Sequence, residues 1–233
     1  MIGIIGALEE EIVLLKRDMT ITKNTVKAGR EYISGLLNGR EIVITRCGMG
    51  KVNAAASASV MIELFSPDII INTGVGGSLD KKMKVCDIAI AEDIVQHDYD
   101  LVPLGYELGQ VDRFDTPFFK CDRHVNEAIK KSTEALGYTS YYSRFATGDQ
   151  FIDKPEDKER LAETFDANVC DMESGAIAQI CALNGVRFAS IRAISDSDSN
   201  ADGAMQFQQF LKLASTHSVL VIEDVLNNAY LGL

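Results

Sequence analysis

Tryptophan is absent from this sequence, and proline and histidine are scarce, with 4 and 3 copies among 233 residues. Cysteine is sparse too, and its 5 copies are widely spaced, without any Cys-x-x-Cys pair: Cys47, Cys86, Cys121, Cys170 and Cys181. Four of these cysteines lie in or beside apolar segments. We therefore expect buried, reduced thiols, and we predict neither disulfides nor a zinc site.

Basic residues are also in short supply. The chain has 23 Lys and Arg against 34 Asp and Glu, a net charge of -11, and no long basic run. Because proteins bind nucleic acids by neutralising phosphates with Lys and Arg, we expect no nucleic-acid partner. The first apolar run ends after a few residues at three glutamates, far short of the roughly 20 residues that span a bilayer. We therefore expect a cytoplasmic protein with no membrane association.

Alternating apolar strands and amphipathic helices dominate what is present. With 46% hydrophobic residues the chain has enough apolar material for one α/β domain over residues 1–233. Strands are predicted at residues 2–7, 32–37, 41–45, 68–72, 85–91, 141–146, 169–172 and 188–194. Helices are predicted at residues 9–17, 52–65, 122–136, 155–165, 173–183 and 207–227. Asn38-Gly39 between the second and third strands predicts a tight hairpin.

Acidic residues follow several of these strands. Residues 168–199 read as strand, helix and strand, a βαβ unit that would place Glu173 and Asp196 at the carboxyl ends of parallel strands, where ligands bind. Asp and Glu are rarely buried without a partner, so packing explains them poorly, although Glu173 also suits a helix start. Three glutamates at residues 9–11 exceed what a helix start needs. We predict that one of them points into the same crevice.

Other segments offer weaker signals. Glycines in CGMGK (47–51) and TGVGG (73–77) predict strand-end loops where backbone approaches a ligand. The dinucleotide pattern GxGxxG is absent, and His97, Asp98 and Asp100 indicate a solvated loop rather than a metal site. Apolar residues in the irregular segment 101–119 predict a subunit interface.

Several motifs in order along the chain carry a family resemblance: IGIIGALEEE, GMGKVNAA, PDIIINTGVGG, HDYD, GYELGQ, TGDQFI, DMESGAIAQ and IRAISD. Together they resemble the 5′-methylthioadenosine/S-adenosylhomocysteine nucleosidases of the purine nucleoside phosphorylase superfamily. The resemblance implies a three-layer α/β/α fold with a mixed central β-sheet, a homodimer, no metal or cofactor and a place in methionine salvage. The implied reaction is hydrolysis of the N-glycosidic bond of methylthioadenosine, adenosylhomocysteine or 5′-deoxyadenosine, which releases adenine.

The resemblance also implies roles for individual residues. Asp196 is similar to the general acid that protonates adenine N7, and Glu11 to the residue that activates water. Glu173 matches the acid that binds the ribose hydroxyls, Met172 packs under the sugar, and Arg192 lies near the water and the 2′-hydroxyl. Further matches to substrate-binding positions are Leu8, Met49, Val75, Gly77, Phe151, Ile152 and Phe207. Matches to residues that a partner subunit lends to the 5′ pocket are Leu101, Leu104 and Tyr106.

The sequence departs from the family pattern at three points. Val75 replaces the serine of TGSAGG, so a hydroxyl near the water is missing. DMES replaces EMEA, which keeps Glu173. Gln150 stands beside the base-binding loop in place of alanine or serine.

The predicted chemistry agrees with these residue types. Cleavage of the glycosidic bond develops positive charge on the ribose and negative charge on the purine, which carboxylates and an acid stabilise. Three alternatives remain open. A phosphorylase would need a cationic site for phosphate, and at that place this chain has Asn72 and Val75. A futalosine-type nucleosidase would use the same acids with a different 5′ pocket. A nucleoside-binding module would bind the nucleoside without cleaving it.

Overall fold

The computed structural model describes residues 1–196 and 203–228. Within these residues ten strands form one mixed sheet. The strands are β1 Ile2–Gly6, β2 Thr20–Lys27, β3 Arg30–Leu37, β4 Arg40–Arg46, β5 Ile69–Ser78, β6 Ile88–Gln96, β7 Phe118–Lys120, β8 Ser140–Thr147, β9 Val169–Asp171 and β10 Arg187–Asp196. The helices are α1 Val13–Asp18, α2 Lys51–Phe65, α3 Arg123–Ala135, α4 Pro155–Phe165, α5 Ser174–Asn184 and α6 Gly203–Asn227.

The most apolar strands lie at the middle of the sheet. Every residue of β1 is buried, and β1 runs parallel to β4 on one side and to β5 on the other. A strand that is buried on both faces needs residues without polar side chains on both, and the sequence IGIIG has no polar side chain. These strands therefore form the base on which the site is built.

The sheet closes on itself around β5. The first half of β5 pairs with β1 on one edge, and β9 takes over that edge at Gly77 and Ser78. The other edge of β5 pairs with β10 from Ile69 to Gly77. Because β10, β6, β8 and β9 follow one another in the sheet, these strands and β5 form a closed ring. The end of β5 is therefore surrounded by other strands.

Helices cover both faces of the sheet, which confirms the predicted three-layer α/β/α fold. One apolar cluster joins the sheet to α1, α3 and α6, and the other joins it to α2 and α5. A smaller cluster forms beneath α4, around Leu161 and Phe165. Within the described ranges, 1–196 and 203–228, no helix has the length and hydropathy that a bilayer span requires.

Two predictions about strands are wrong. β9, α5 and β10 do not form the predicted parallel βαβ unit, because β9 is antiparallel to β5 whereas β10 is parallel to it. The ring nevertheless brings the end of β9 near the end of β10. Residues 73–77 are not a loop but a continuation of β5, since β10 and then β9 supply hydrogen-bonding partners along it.

Two further differences concern the N-terminal quarter of the chain. The helix predicted at residues 9–17 is divided into a 3-10 turn at Glu9–Glu11 and the helix α1, with Ile12 between them outside helical geometry. The strand β2 was not predicted, because its side chains are nearly all exposed and show no alternating pattern. The hairpin between β3 and β4 is confirmed, with positive φ at Asn38 and Gly39.

Candidate active site

A cleft opens above the ends of β1, β5, β9 and β10. It encloses about 640 Å³ of space, including the part that is open to solvent. The side chains of Glu11, Glu173 and Asp196 line it although they come from distant parts of the chain, and all three are buried. Acids buried in one cleft are costly unless each has partners, so their contacts define the site.

Glu11 is held by backbone N–H groups from the segment after β1 and from β5. Its Oε2 accepts hydrogen bonds from the N–H groups of Ala7, at 2.6 Å, and Leu8, at 2.9 Å, just after β1. Its Oε1 accepts the N–H of Val75 at 3.1 Å. The 3-10 turn at Glu9–Glu11 folds the side chain back toward these donors. Burial raises the pKa of Glu11, while the positive charge of Arg192 and these hydrogen bonds act in the opposite direction.

Glu173 lies just before α5 and faces the start of α2. Its Oε1 accepts the Gly50 N–H at 3.0 Å. Burial raises the pKa of Glu173 above its usual range, and the negative charge of Asp171 raises it further. Burial therefore favours the protonated form of this carboxyl group more than it would be favoured in an exposed glutamate.

A buried network stands behind Glu173. Arg192 Nη2 donates to Asp171 Oδ2 at 2.5 Å and to Asn72 Oδ1 at 2.6 Å, and it lies 3.8 Å from Glu173 Oε2. Asp171 also accepts a hydrogen bond from Thr147 Oγ1 at 2.5 Å. The guanidinium thus neutralises part of the negative charge of two neighbouring acids without itself lining the cleft.

Asp196 ends β10 and is paired with a lysine. Asp196 Oδ2 accepts a hydrogen bond from Lys158 Nζ at 2.6 Å, and Asp196 Oδ1 accepts one from Ser195 Oγ at 3.0 Å. Gly77 of β5 lies opposite: a Cβ on it would be 3.1 Å from Asp196 Oδ2. The lack of a side chain at Gly77 therefore leaves room for the carboxyl group.

Apolar side chains form the remaining walls. Phe151 and Phe207 meet edge to face with their ring centroids 5.7 Å apart, and Ile152 is buried beside them. Met49 and Phe151 are 58% and 47% exposed at the mouth of the cleft. Flat apolar surfaces beside buried acids suit a ligand with both an aromatic and a polar part.

The structure brings together nearly all of the residues that the sequence indicated. Those that line the cleft are Leu8, Glu11, Met49, Val75, Gly77, Phe151, Ile152, Met172, Glu173, Asp196 and Phe207. Arg192 does not line the cleft but contacts Asp171, which does. Leu101, Leu104 and Tyr106 do not line the cleft of this chain, and their role in the site of a second subunit stays a prediction.

Sequence reasoning overlooked several residues. Ala7, Gly76, Cys170, Asp171 and Ser195 also line the cleft, and Lys158 contacts Asp196 from behind. A signal for Lys158 was available, because it shares the spacing of the apolar residues Leu161 and Phe165 on α4. A lysine on the apolar side of a helix needs a buried partner.

Cations are rare at this cleft. Among the described residues that line it there is no lysine, arginine or histidine. Arg46 is exposed elsewhere, and Lys51 Nζ donates to Asp98 at 2.5 Å. In residues 1–196 and 203–228 no group of three or more His, Cys, Asp or Glu is arranged to hold a metal ion.

This chain is similar to known proteins over nearly its whole length. Residues 1–227 match the family model described as the phosphorylase superfamily. A 5′-methylthioadenosine/S-adenosylhomocysteine nucleosidase of Staphylococcus aureus (strain MRSA252) is 38% identical over 228 residues, which cover 97% of this chain and 99% of that protein.

Two solved structures share the whole fold. One is the 5′-methylthioadenosine/S-adenosylhomocysteine nucleosidase of Neisseria meningitidis in complex with methylthio-immucillin-A, with a TM-score of 0.92 and 33% identity, covering 97% of this chain and 98% of that one. The other is futalosine hydrolase of Helicobacter pylori, with a TM-score of 0.91 and 29% identity, covering 97% of each chain.

Proposed function

This chain belongs to the phosphorylase superfamily, and it is similar over 97% of its length to 5′-methylthioadenosine/S-adenosylhomocysteine nucleosidases. We propose that it is an N-glycosyl hydrolase that acts on 5′-methylthioadenosine and S-adenosylhomocysteine. It cleaves the bond between the ribose and adenine with water. One observation carries the proposal: Glu11, Glu173 and Asp196 line a single cleft that also has an aromatic wall.

The two ends of the cleft suit the two halves of a nucleoside. Phe151 and Phe207 offer flat apolar surface for a purine, and Asp196 lies on the same cleft. Glu11, Glu173 and Met172 lie where a ribose would follow. A carboxylate accepts hydrogen bonds from ribose hydroxyls, which is the role we assign to Glu173.

The reaction balances with these groups. The bond between C1′ and N9 breaks, and its electron pair goes to the purine. Asp196 gives its proton to N7 of the departing adenine, as a general acid. A water molecule adds its oxygen to C1′ and passes one proton to Glu11. The carboxylates of Glu11 and Glu173 offset the positive charge that develops on the ribose.

Phosphorolysis is the less favoured reaction for this site. A phosphate nucleophile requires a donor-rich cationic cradle. The described residues that line the cleft include no basic side chain, and Arg192 donates to Asp171 and Asn72 behind it. These features support water as the nucleophile.

A futalosine-type nucleosidase is the second candidate. The H. pylori futalosine hydrolase shares the fold at a TM-score of 0.91, so the same chemistry with a different 5′ substituent is the specific competitor. The substrate assay below distinguishes the two.

We also propose a homodimer that acts in the cytoplasm in methionine salvage. The support for the dimer is an exposed apolar turn, Val102–Leu104, which includes Leu104 at 72% exposure. A partner's copies of Leu101, Leu104 and Tyr106 would complete the 5′ end of the cleft.

Adenine release from purified protein tests the activity. We expect release from methylthioadenosine and adenosylhomocysteine at a rate that does not depend on added phosphate. Adenosine, inosine and futalosine are the comparison substrates. Turnover only with phosphate would establish the phosphorylase, and a preference for futalosine would establish the second candidate.

A further inference from the structure

Lys158 is a buried lysine that the mechanism above does not use. It lies in α4, and its side chain is 5% exposed while that of Asp196 is 3% exposed. Their ion pair, with Nζ 2.6 Å from Oδ2, is thus removed from water. A buried ammonium is costly unless it is paired, so Lys158 and Asp196 depend on each other.

The other groups near this pair are few. Ser195 Oγ donates to Asp196 Oδ1, the oxygen that Lys158 does not contact. Cys170 lies beside the pair, and burial, with Asp196 as the next cause, raises the pKa of its thiol to about 12. The carboxylate of Asp153 is occupied by the N–H of Gly203 at 2.8 Å. Among the described residues, Lys158 is therefore the cation paired with Asp196.

Pairing of the general acid with a cation has a catalytic consequence. In the bound substrate complex Asp196 must carry a proton and is neutral, so the ammonium of Lys158 loses its counter-charge. When Asp196 passes the proton to N7, the carboxylate forms again and the ion pair is restored. The interaction between Lys158 and Asp196 is therefore stronger in the transition state than in the bound ground state, and an interaction of this kind accelerates the reaction.

We propose that Lys158 is a positioning residue for this reaction: it fixes Oδ2 of Asp196 from behind and stabilises the carboxylate that forms as adenine departs. The inference rests on the proposed function. Lys158 keeps its own protons throughout. The proton that Asp196 donates enters from solvent when substrate binds, and the negative charge left on Asp196 faces the ammonium.

Kinetics of Lys158→Met test the proposal. We expect kcat for adenine release to fall about tenfold while KM changes by less than about threefold, because the lost interaction is made mainly in the transition state.

Three further variants make the result specific. Lys158→Arg keeps the charge and should retain most of the wild-type kcat. Lys158→Gln keeps a hydrogen-bond donor without the charge and should behave like Lys158→Met. Lys81→Met removes an exposed lysine from the groove beside α4 and should leave kcat and KM unchanged.

A double-mutant cycle shows whether Lys158 acts through Asp196. In an Asp196→Asn background, adding Lys158→Met should change kcat by less than about twofold, since no carboxylate is left to stabilise. Failure of the wild type to release adenine would overturn the proposed function. An active wild type, with kcat unchanged in both Lys158→Met and Lys158→Gln, would overturn this inference alone.

Discussion

Glu11 is an acid of the cleft that backbone donors hold in place. Three backbone N–H groups from Ala7, Leu8 and Val75 fix both of its oxygens. Glu10 is adjacent in sequence but exposed. The 3-10 turn therefore selects one of three consecutive glutamates for the site.

Glu11→Gln should lower kcat for adenine release by about 10²-fold or more, because an amide does not accept the proton of the attacking water. Glu10→Gln is the matched control and should stay within about twofold of wild type, as surface changes usually do. The reverse ranking of these two variants would show that the water is activated by a different glutamate.

Glu173 links activity to stability through its raised pKa. A carboxyl group whose pKa is higher in the folded protein than in the unfolded chain binds more protons when folded. Its contribution to stability is therefore full below the usual glutamate pKa of 4.5 and is lost as pH rises through the raised value. At alkaline pH the folded protein carries a buried charge beside Asp171.

Glu173→Gln should accordingly raise the melting temperature at pH 9 and leave it nearly unchanged at pH 4, while activity falls. Glu10→Gln, which changes an exposed glutamate, should show no such pH-dependent gain. Thermal melting at a series of pH values gives the comparison. A gain of equal size at both pH values would point to packing rather than to the charge.

The end of the strand β5 brings Glu11 and Val75 together. A Cβ on Gly74 would lie 2.5 Å from Glu11 Oε1, a distance that real contacts do not reach. The glycine is needed here for space, and β5 continues as a strand past this point.

Gly74→Ala should therefore displace the Glu11 carboxylate and lower kcat at least about tenfold, with a loss of stability of about 1–3 kcal/mol from overpacking. Adenine release and thermal melting, measured on the same preparation, separate the two effects. An alanine variant with wild-type kcat would show that Glu11 does not depend on its present position.

The elements also show what sequence patterns do and do not predict. Most helices and strands, and the acids Glu11, Glu173 and Asp196, follow from apolar periodicity, polar residues near strand ends and the family motifs. The direction of β9 does not follow from the sequence, because a strand of only three residues has too short a pattern to indicate how it pairs with neighbouring strands. Lys158 was missed for a related reason: α4 is so rich in charge that its one buried charge does not stand out.

The chain leaves its cleft partly open to solvent. Met49 and Phe151 are exposed at its mouth, and the turn Val102–Leu104 presents further apolar side chains to solvent. Within segment 101–119 Phe114 and Phe119 pack against each other at 4.9 Å between ring centroids, whereas Leu104 stays exposed. An exposed apolar surface of this kind favours a second subunit.

Leu104→Glu should therefore weaken the proposed dimer and raise KM for methylthioadenosine more than it lowers kcat, because the partner's side chains would bind the 5′ substituent and not the reacting atoms. Sedimentation at several protein concentrations measures the association, and adenine release measures KM. Val26→Glu alters an equally exposed apolar residue in β2 and should change neither. A monomeric wild type with full activity would mean that one chain completes the site alone, and a dimeric Leu104→Glu variant with unchanged KM would assign the dimer contact to another surface.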